Sequence, residues 1–437
     1  MLENNCFSRF REKIKDFFLL LLQRLLITLQ LFNQNGLMNH AAACSYGFLL
    51  SAAPALLFIA FVVSQALSAS PELAEVMLGQ LGALFGIFEA GNLIENFLSS
   101  SNSGLAGLVS VVSIFWTARL CALSVQRGLG VVFPGPRSVL RDNAVTLGLG
   151  LFAMFVIFIT LLGLRFAVGL YNSTGFSSLS IFAPVLILSA RIFLMLALAL
   201  MALAAYRFFP ANPPKVKTII PGVLACIIFF RIFTAAFSLI INPDRYNLLY
   251  GTLGRLFLFL VNVYFFFVFF FFGAQLIHAL SVSEALLFAR FRQVHSMSLP
   301  SKSLFDRAFA ALPGSLKKYV SFFKKDDTVF AMHSQGHEVY YILSGKAGVY
   351  LDSEGRSKVA VVDEMNFFGE MSSFASDSKG GRAASIKAET DLSVLVLPPA
   401  LFHAILQVDP NTDKSLIKTL SEHLKSANQQ ISGSRII

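Results

Sequence analysis

The chain has 437 residues, of which 55% are hydrophobic and only 14% charged, with a net charge of +10. Ordinary soluble domains carry about 25% charged residues, so this composition excludes a large soluble enzyme and points to a membrane protein with something attached. Residues 1–280 hold 17 Lys and Arg against 9 Asp and Glu, and residues 281–437 hold 18 against 16, so the positive excess belongs to the apolar part and there sets topology.

The N-terminal stretch "MLENNCFSRFREKIKDFF" is basic and is followed by no small-residue cleavage site, so no cleaved signal is expected. Phe17 to Phe32 is apolar but interrupted, with Asp16, Gln23 and Gln30 recurring every seven residues and Arg24 and Thr28 beside them. That polar stripe predicts an amphipathic helix lying at the membrane surface, with a seventh spanning helix as the alternative. Residues 1–43 are therefore read as an N-terminal region with an interfacial helix.

A bilayer core about 30 Å thick needs roughly 20 apolar residues in a helix. Six stretches meet this: 44–67, 104–126, 145–170, 181–206, 219–241 and 253–280. The expected architecture is a six-helix polytopic membrane domain over 44–280, since only helices and closed barrels satisfy their backbone in lipid. Loop charges orient it. The loop of 68–103 has Glu72, Glu75, Glu89 and Glu95 and no Lys or Arg, so it belongs outside. The loops with Arg127, Arg137 and Arg141, and with Arg207, Lys215 and Lys217, belong inside, as does the N-terminus with Arg9, Arg11, Lys13 and Lys15. Both termini are then cytoplasmic.

Within the predicted spans, Arg119, Arg165 and Arg255 lie near a membrane face, where they can snorkel to headgroups. Arg191 and Arg231 sit nearer mid-span and require an aqueous cavity or a partner. Two cations facing a cavity suit an anionic substrate or a lipid headgroup; bonding to backbone carbonyls opened at a kink is the equal alternative. The blocks "NHAAACSYGFLLSAAPALLFIAF", "VSIFWTARLCALSVQRGLGVVF" and "YGTLGRLFLFLVNVYFFFVFFFFGAQLIHAL" resemble the YihY/BrkB family of bacterial inner-membrane proteins, over about residues 15–285. The resemblance implies an inner-membrane location. Its Gly-Ala-Glu-Leu motif is altered here, where Gln275 follows Gly273 and Ala274. The family was once labelled a ribonuclease, but no cluster of acids or histidines here could hold catalytic metals, and no nucleophile–base pair is found.

Residues 281–322 are read as a helical connector, with "SVSEALLFARFRQVHSM" continuing as helix and "SLPSKS" breaking it. The period then changes. "VYYIL", "AGVYL", "KVAVV" and "DLSVLVL" are short β-rich runs separated by turn residues, which predicts a small antiparallel barrel or roll over 323–437. "PALFHAILQV" is helical, with a break at Asp409-Pro410. Between strands lies "FFGEMSSFASDSKGGRAASI". Arg382 can clamp phosphate oxygens, Glu370 can accept from a sugar hydroxyl, and Ala383 and Ala384 let a ligand come close, so the chemistry fits one phosphate beside a ribose.

This region, over about residues 305–430, resembles the cyclic nucleotide-binding domain. The turn at Gly336, "YYILSGKAGVY", and the cassette from Gly369 to Ser385 carry the likeness. The resemblance implies that Glu370 binds the ribose 2′-hydroxyl and Arg382 the cyclic phosphate, with backbone amides of Gly369, Met371, Ser372, Ala383 and Ala384 helping. Threonine after the arginine goes with cGMP in that family; Ala383 lacks the hydroxyl, which leans to cAMP. Gly381 stands where proline is frequent. A barrel that has kept its fold and lost its ligand is the alternative.

The expected function is therefore a transporter or channel-like membrane protein regulated by a cyclic nucleotide, with no cofactor, catalytic residue or metal. The alternative is a non-transporting anchored sensor or envelope scaffold. The expected partners are the bilayer, a cyclic nucleotide and an anionic substrate or headgroup, with a homo-oligomer allowed; no helix-turn-helix follows the barrel, so nucleic acid is not among them.

Overall fold

The structure, a computed structural model, describes residues 2–50, 119–150 except 121, 137, 139 and 149, 182–296 except 242, 306–351 except 307, 358–374, 381–409 and 412. It divides into two compact units, one of Met1–Ile27 with Val282–Ile437 and one of Thr28–Ser281.

The helical unit contains the end of α1 (Leu2–Gln34), α2 (Phe182–Phe208), α3 (Val216–Ile240) and α4 (Pro243–Ser281), with further helical backbone at 37–50, 122–132 and 140–148. Among the described residues, Val216–Ile240 and Leu256–Ser281 are long and apolar enough to cross a membrane. They coincide with the last two predicted spans, and α2 covers the fourth. The other three predicted spans lie outside the described residues except at their helical ends, 44–50, part of 119–126, and part of 145–150. Helix α4 starts ten residues before the predicted 253. Pro243 stands at its first helical position, where the missing N–H has no intrahelical acceptor to lose and φ is already set.

Two glycines fix the α3–α4 crossing. A Cβ on Gly222 would lie 2.7 Å from the Gly273 carbonyl oxygen and would also strike Ile277, and a Cβ on Gly273 would lie 2.7 Å from the Tyr206 hydroxyl. The backbones therefore touch, as small residues allow between membrane helices. Tyr206, fully buried on α2, donates to the Phe270 carbonyl at 2.6 Å. Beyond this point Phe233 stacks on Phe265 at 4.1 Å, and Phe229 meets Phe272 edge-on. Gly222→Val should lower the midpoint of thermal unfolding of the purified protein by several degrees, because overpacking costs about 1–3 kcal/mol; an unchanged midpoint would remove this contact as a packing determinant.

Most of α1, through Ile27, belongs to the other unit, where one residue of its polar stripe, Gln23, is turned inward. Gln23 is buried and donates from Nε2 to the Ala308 carbonyl at 2.7 Å, whereas Phe18, Leu19, Leu21 and Leu22 are exposed. A side-chain amide inside a protein needs an acceptor, and Ala308 supplies it.

The β-containing unit is built on two four-stranded antiparallel sheets. The strands are β1 (Val320–Phe323), β2 (Thr328–Phe330), β3 (Val339–Ser344), β4 (Ala347–Tyr350), β5 (Lys358–Val362), β6 (Phe367–Phe368), β7 (Ser385–Ala388) and β8 (Leu392–Leu397). One sheet has the order β1-β8-β3-β6 and the other β2-β7-β4-β5. Alternation along β3 and β8 sends residues to two cores. Ile342, Leu392 and Val394 meet Ala347, Ile386 and Ala388 between the sheets. Val339, Tyr341, Leu395 and Leu397 face the opposite way, onto α5 (Ser283–Ser296) and α7 (Pro399–Val408), the latter following the four-residue α6 (Met371–Phe374). Ala285, Phe288 and Phe291 of α5 and Phe402 and Ile405 of α7 complete that second core. The stretch read as a connector is thus a layer of the domain. Its three apolar residues recur at helical spacing, while its charged residues make local pairs such as Arg290 with Asp306 at 2.8 Å.

Candidate nucleotide site

The two arms of the "FFGEMSSF…GGRAAS" segment meet at one buried guanidinium. On the first arm, β6 ends at Gly369, whose φ of +78° favours glycine. A Cβ there would also lie 2.8 Å from Arg382 Nη1. The chain then turns into α6, and the Ser372 hydroxyl donates back to the Gly369 carbonyl at 3.0 Å. On the second arm, the Arg382 backbone N–H donates to the Ser334 carbonyl at 3.0 Å, and the His333 N–H donates to the Arg382 carbonyl at 2.8 Å. A Cβ on Gly381 would stand 2.9 Å from His333 Cα. This close backbone passage accounts for glycine at that position.

Arg382 is only 2% exposed. Its Nη1 donates to the Gly369 carbonyl at 3.0 Å and to the Ser372 Oγ at 2.8 Å. Its Nη2 pairs with Glu338 Oε2 at 3.3 Å. Its flat face lies over Phe330 at 4.2 Å and near Tyr340 at 5.6 Å, an arrangement a planar cation accepts and an ammonium does not reproduce. Burial pulls the guanidinium below its usual pKa, while Tyr340 and Glu338 pull it back up; it remains a cation. Tyr340 stacks on Phe368 at 5.0 Å, bracing the aromatic wall.

Of the residues singled out in the sequence, Gly369, Ser372 and Arg382 are in direct contact, and Glu370 is buried at the turn between Gly369 and α6. Ala384 is half-buried, while Ala383 and Met371 are exposed. The sequence reading missed Glu338, Phe330 and Tyr340 around the guanidinium. His337 joins them: its Nδ1 lies 3.0 Å from the Ser372 carbonyl and donates in that tautomer. The short helix also reaches α7, because Phe374 packs edge-on against Phe402, which in turn meets Phe367.

In the helical unit, Arg231 lies on the exposed face of α3 beside Ile228 and Ile232. Arg191 lies on α2, with its side chain outside the described residues. Gln275 is fully buried and accepts from Asn35 Nδ2 at 3.0 Å.

The family model of the virulence factor BrkB matches residues 28–291, and that of the cyclic nucleotide-binding domain matches residues 320–409. The chain belongs to the BrkB family. This BrkB-family chain thus joins a membrane-family region to a cyclic nucleotide-binding domain. A search of the curated proteins gave no match. Among solved structures, the chain is similar to the Thermus thermophilus catabolite activator protein at 23% identity, over 26% of this chain and 53% of that one, with a TM-score of 0.23. It thus spans about half the length of that protein. It is also similar to the c-di-GMP responsive global regulator CLP of Xanthomonas campestris, at 18% identity over 26% and 57% of the two chains with a TM-score of 0.23. A third likeness is to the N-terminal domain of a Streptomyces coelicolor transcriptional regulator, at 26% identity over 28% and 88% with a TM-score of 0.20.

Proposed function

We propose that this BrkB-family protein is a transporter or channel-like protein of the bacterial inner membrane, controlled by a cyclic mononucleotide bound in its C-terminal domain, with cAMP preferred. The observation that carries this reading is the buried Arg382, held between Gly369 and Ser372 with Glu370 buried at the same turn. That set joins a fixed cation for a phosphate to a carboxylate for a ribose hydroxyl, both on one loop. Ala383 has no hydroxyl to meet a guanine, which favours cAMP.

Topology in this reading places both termini in the cytoplasm. It is supported by the two basic loops, which are tied together: Arg141 donates to the Ala211 carbonyl at 2.9 Å and to the Pro210 carbonyl at 3.0 Å. Control passes from the cassette through α6 to α7, along Phe374 and Phe402, and nucleotide shifts the protein only by its different affinity for two arrangements. Arg231 and Arg191 are the cations this reading assigns to an anionic substrate or a lipid headgroup.

Titration of the purified full-length protein, in detergent or in nanodiscs, should show cAMP binding with a micromolar or tighter Kd and weaker cGMP binding. Absence of both heat and thermal shift with every cyclic mononucleotide would overturn the proposal.

A further inference from the structure

We propose that Glu338 competes with the ligand's phosphate for Arg382 and so sets the affinity and exchange rate of the pocket; this rests on reading the pocket as a nucleotide site. The two η nitrogens of Arg382 are used differently. Nη1 is held by neutral acceptors, the Gly369 carbonyl and the Ser372 hydroxyl. Nη2 is held by the Glu338 carboxylate. The pair is asymmetric, for the Arg382 side chain is 3% exposed and that of Glu338 48%.

A single contact of 3.3 Å to a half-exposed carboxylate is the weak form of such a pair, and a phosphate offering two oxygens can replace it. Replacement does not remove the carboxylate, whose charge stays beside the incoming anion and opposes it. Gly336 leaves room for the pair, because a Cβ there would lie 2.9 Å from Glu338 Oε2 and 3.1 Å from Arg382 Nη2. Phe330 and Tyr340 cover the cation's face, and the neighbouring His337 has its Nδ1 3.0 Å from the Ser372 carbonyl. Glu338 is the carboxylate paired with this cation, and it weakens binding where the neutral acceptors and the aromatic wall hold the guanidinium ready.

The test is cAMP titration of the full-length wild type, Glu338→Gln and Glu338→Ala, with release of a fluorescent cAMP analogue followed in parallel. Both variants should bind about tenfold tighter and release the analogue correspondingly more slowly, since like-charge repulsion at this range is removed. Wild-type binding with variants that are equal within twofold, or weaker, overturns the competition and leaves the nucleotide pocket standing. If none of the three proteins binds, the pocket reading falls, and the competition with it.

Discussion

Arg382→Gln is expected to weaken cAMP binding to the full-length protein by about a hundredfold, because two hydrogen bonds from a buried cation to an anion contribute roughly 3 kcal/mol or more. The loss has two sources. The phosphate loses its cation, and the two arms of the cassette lose the side chain that joins Gly369 and Ser372 to the 382 strand entry. Arg382→Lys separates them. Lysine keeps the charge but lacks the planar fork, and it cannot serve Gly369, Ser372 and a ligand together while lying flat over Phe330. An intermediate loss of about tenfold is expected for it. Binding within threefold of wild type for both variants, measured by titration on folded protein, would take Arg382 out of the site.

Phe288→Ala should destabilise the β-containing unit by about 3–5 kcal/mol, the usual range for emptying a buried aromatic position. Phe288 is 0% exposed. It meets Tyr341 edge-on at 5.0 Å and Phe367 at 6.0 Å, so it closes the core between α5 and the β1-β8-β3-β6 sheet. Hydrogen exchange on the full chain reports this directly. Amides of β3 and β8 should exchange faster by two orders of magnitude or more, because each 1.4 kcal/mol corresponds to about tenfold. If α5 alone loosened and the two strands kept their protection, α5 would be a peripheral helix. The same contacts mean that a fragment beginning at residue 300 omits Ala285, Phe288 and Phe291 and leaves the outer face of the sheet uncovered.

Much of this domain was legible because its longer strands are short β-rich runs bounded by turn residues. "VYYIL", "AGVYL", "KVAVV" and "LSVLVL" each became a strand near the expected place. The shorter β1, β2, β6 and β7 have two to four residues, too few for a period to show, and their partners are not their neighbours in sequence: β1 pairs with β8 and β2 with β7. Helix α5 was read as a connector because Glu284, Arg290 and Arg292 draw attention from the apolar face, whose destination is a sheet formed later in the chain. The seven-residue recurrence in α1 was visible, but the burial of Gln23 was not, since its acceptor is Ala308, 285 positions away. In the cassette, Gly369, Glu370 and Arg382 announce themselves by residue type and spacing. Glu338 does not, because a carboxylate in a polar turn reads as solvated until its distance to Arg382 is known. The reason for Gly381 lies in His333, whose backbone stands where a Cβ would go.

The glycine contact between α3 and α4 also limits how the helical unit can move. With the Gly222 and Gly273 backbones touching, the two helices cannot separate there without leaving a void, so relative motion is confined to rotation about that point. Gly222 lies near one end of α3, and Ile240 lies 18 residues beyond it, a lever arm of about 27 Å at 1.5 Å per residue. A rotation of about 5° around the glycine pivot displaces the Ile240 end by about 2 Å and has to slide Phe233 across Phe265 to do so.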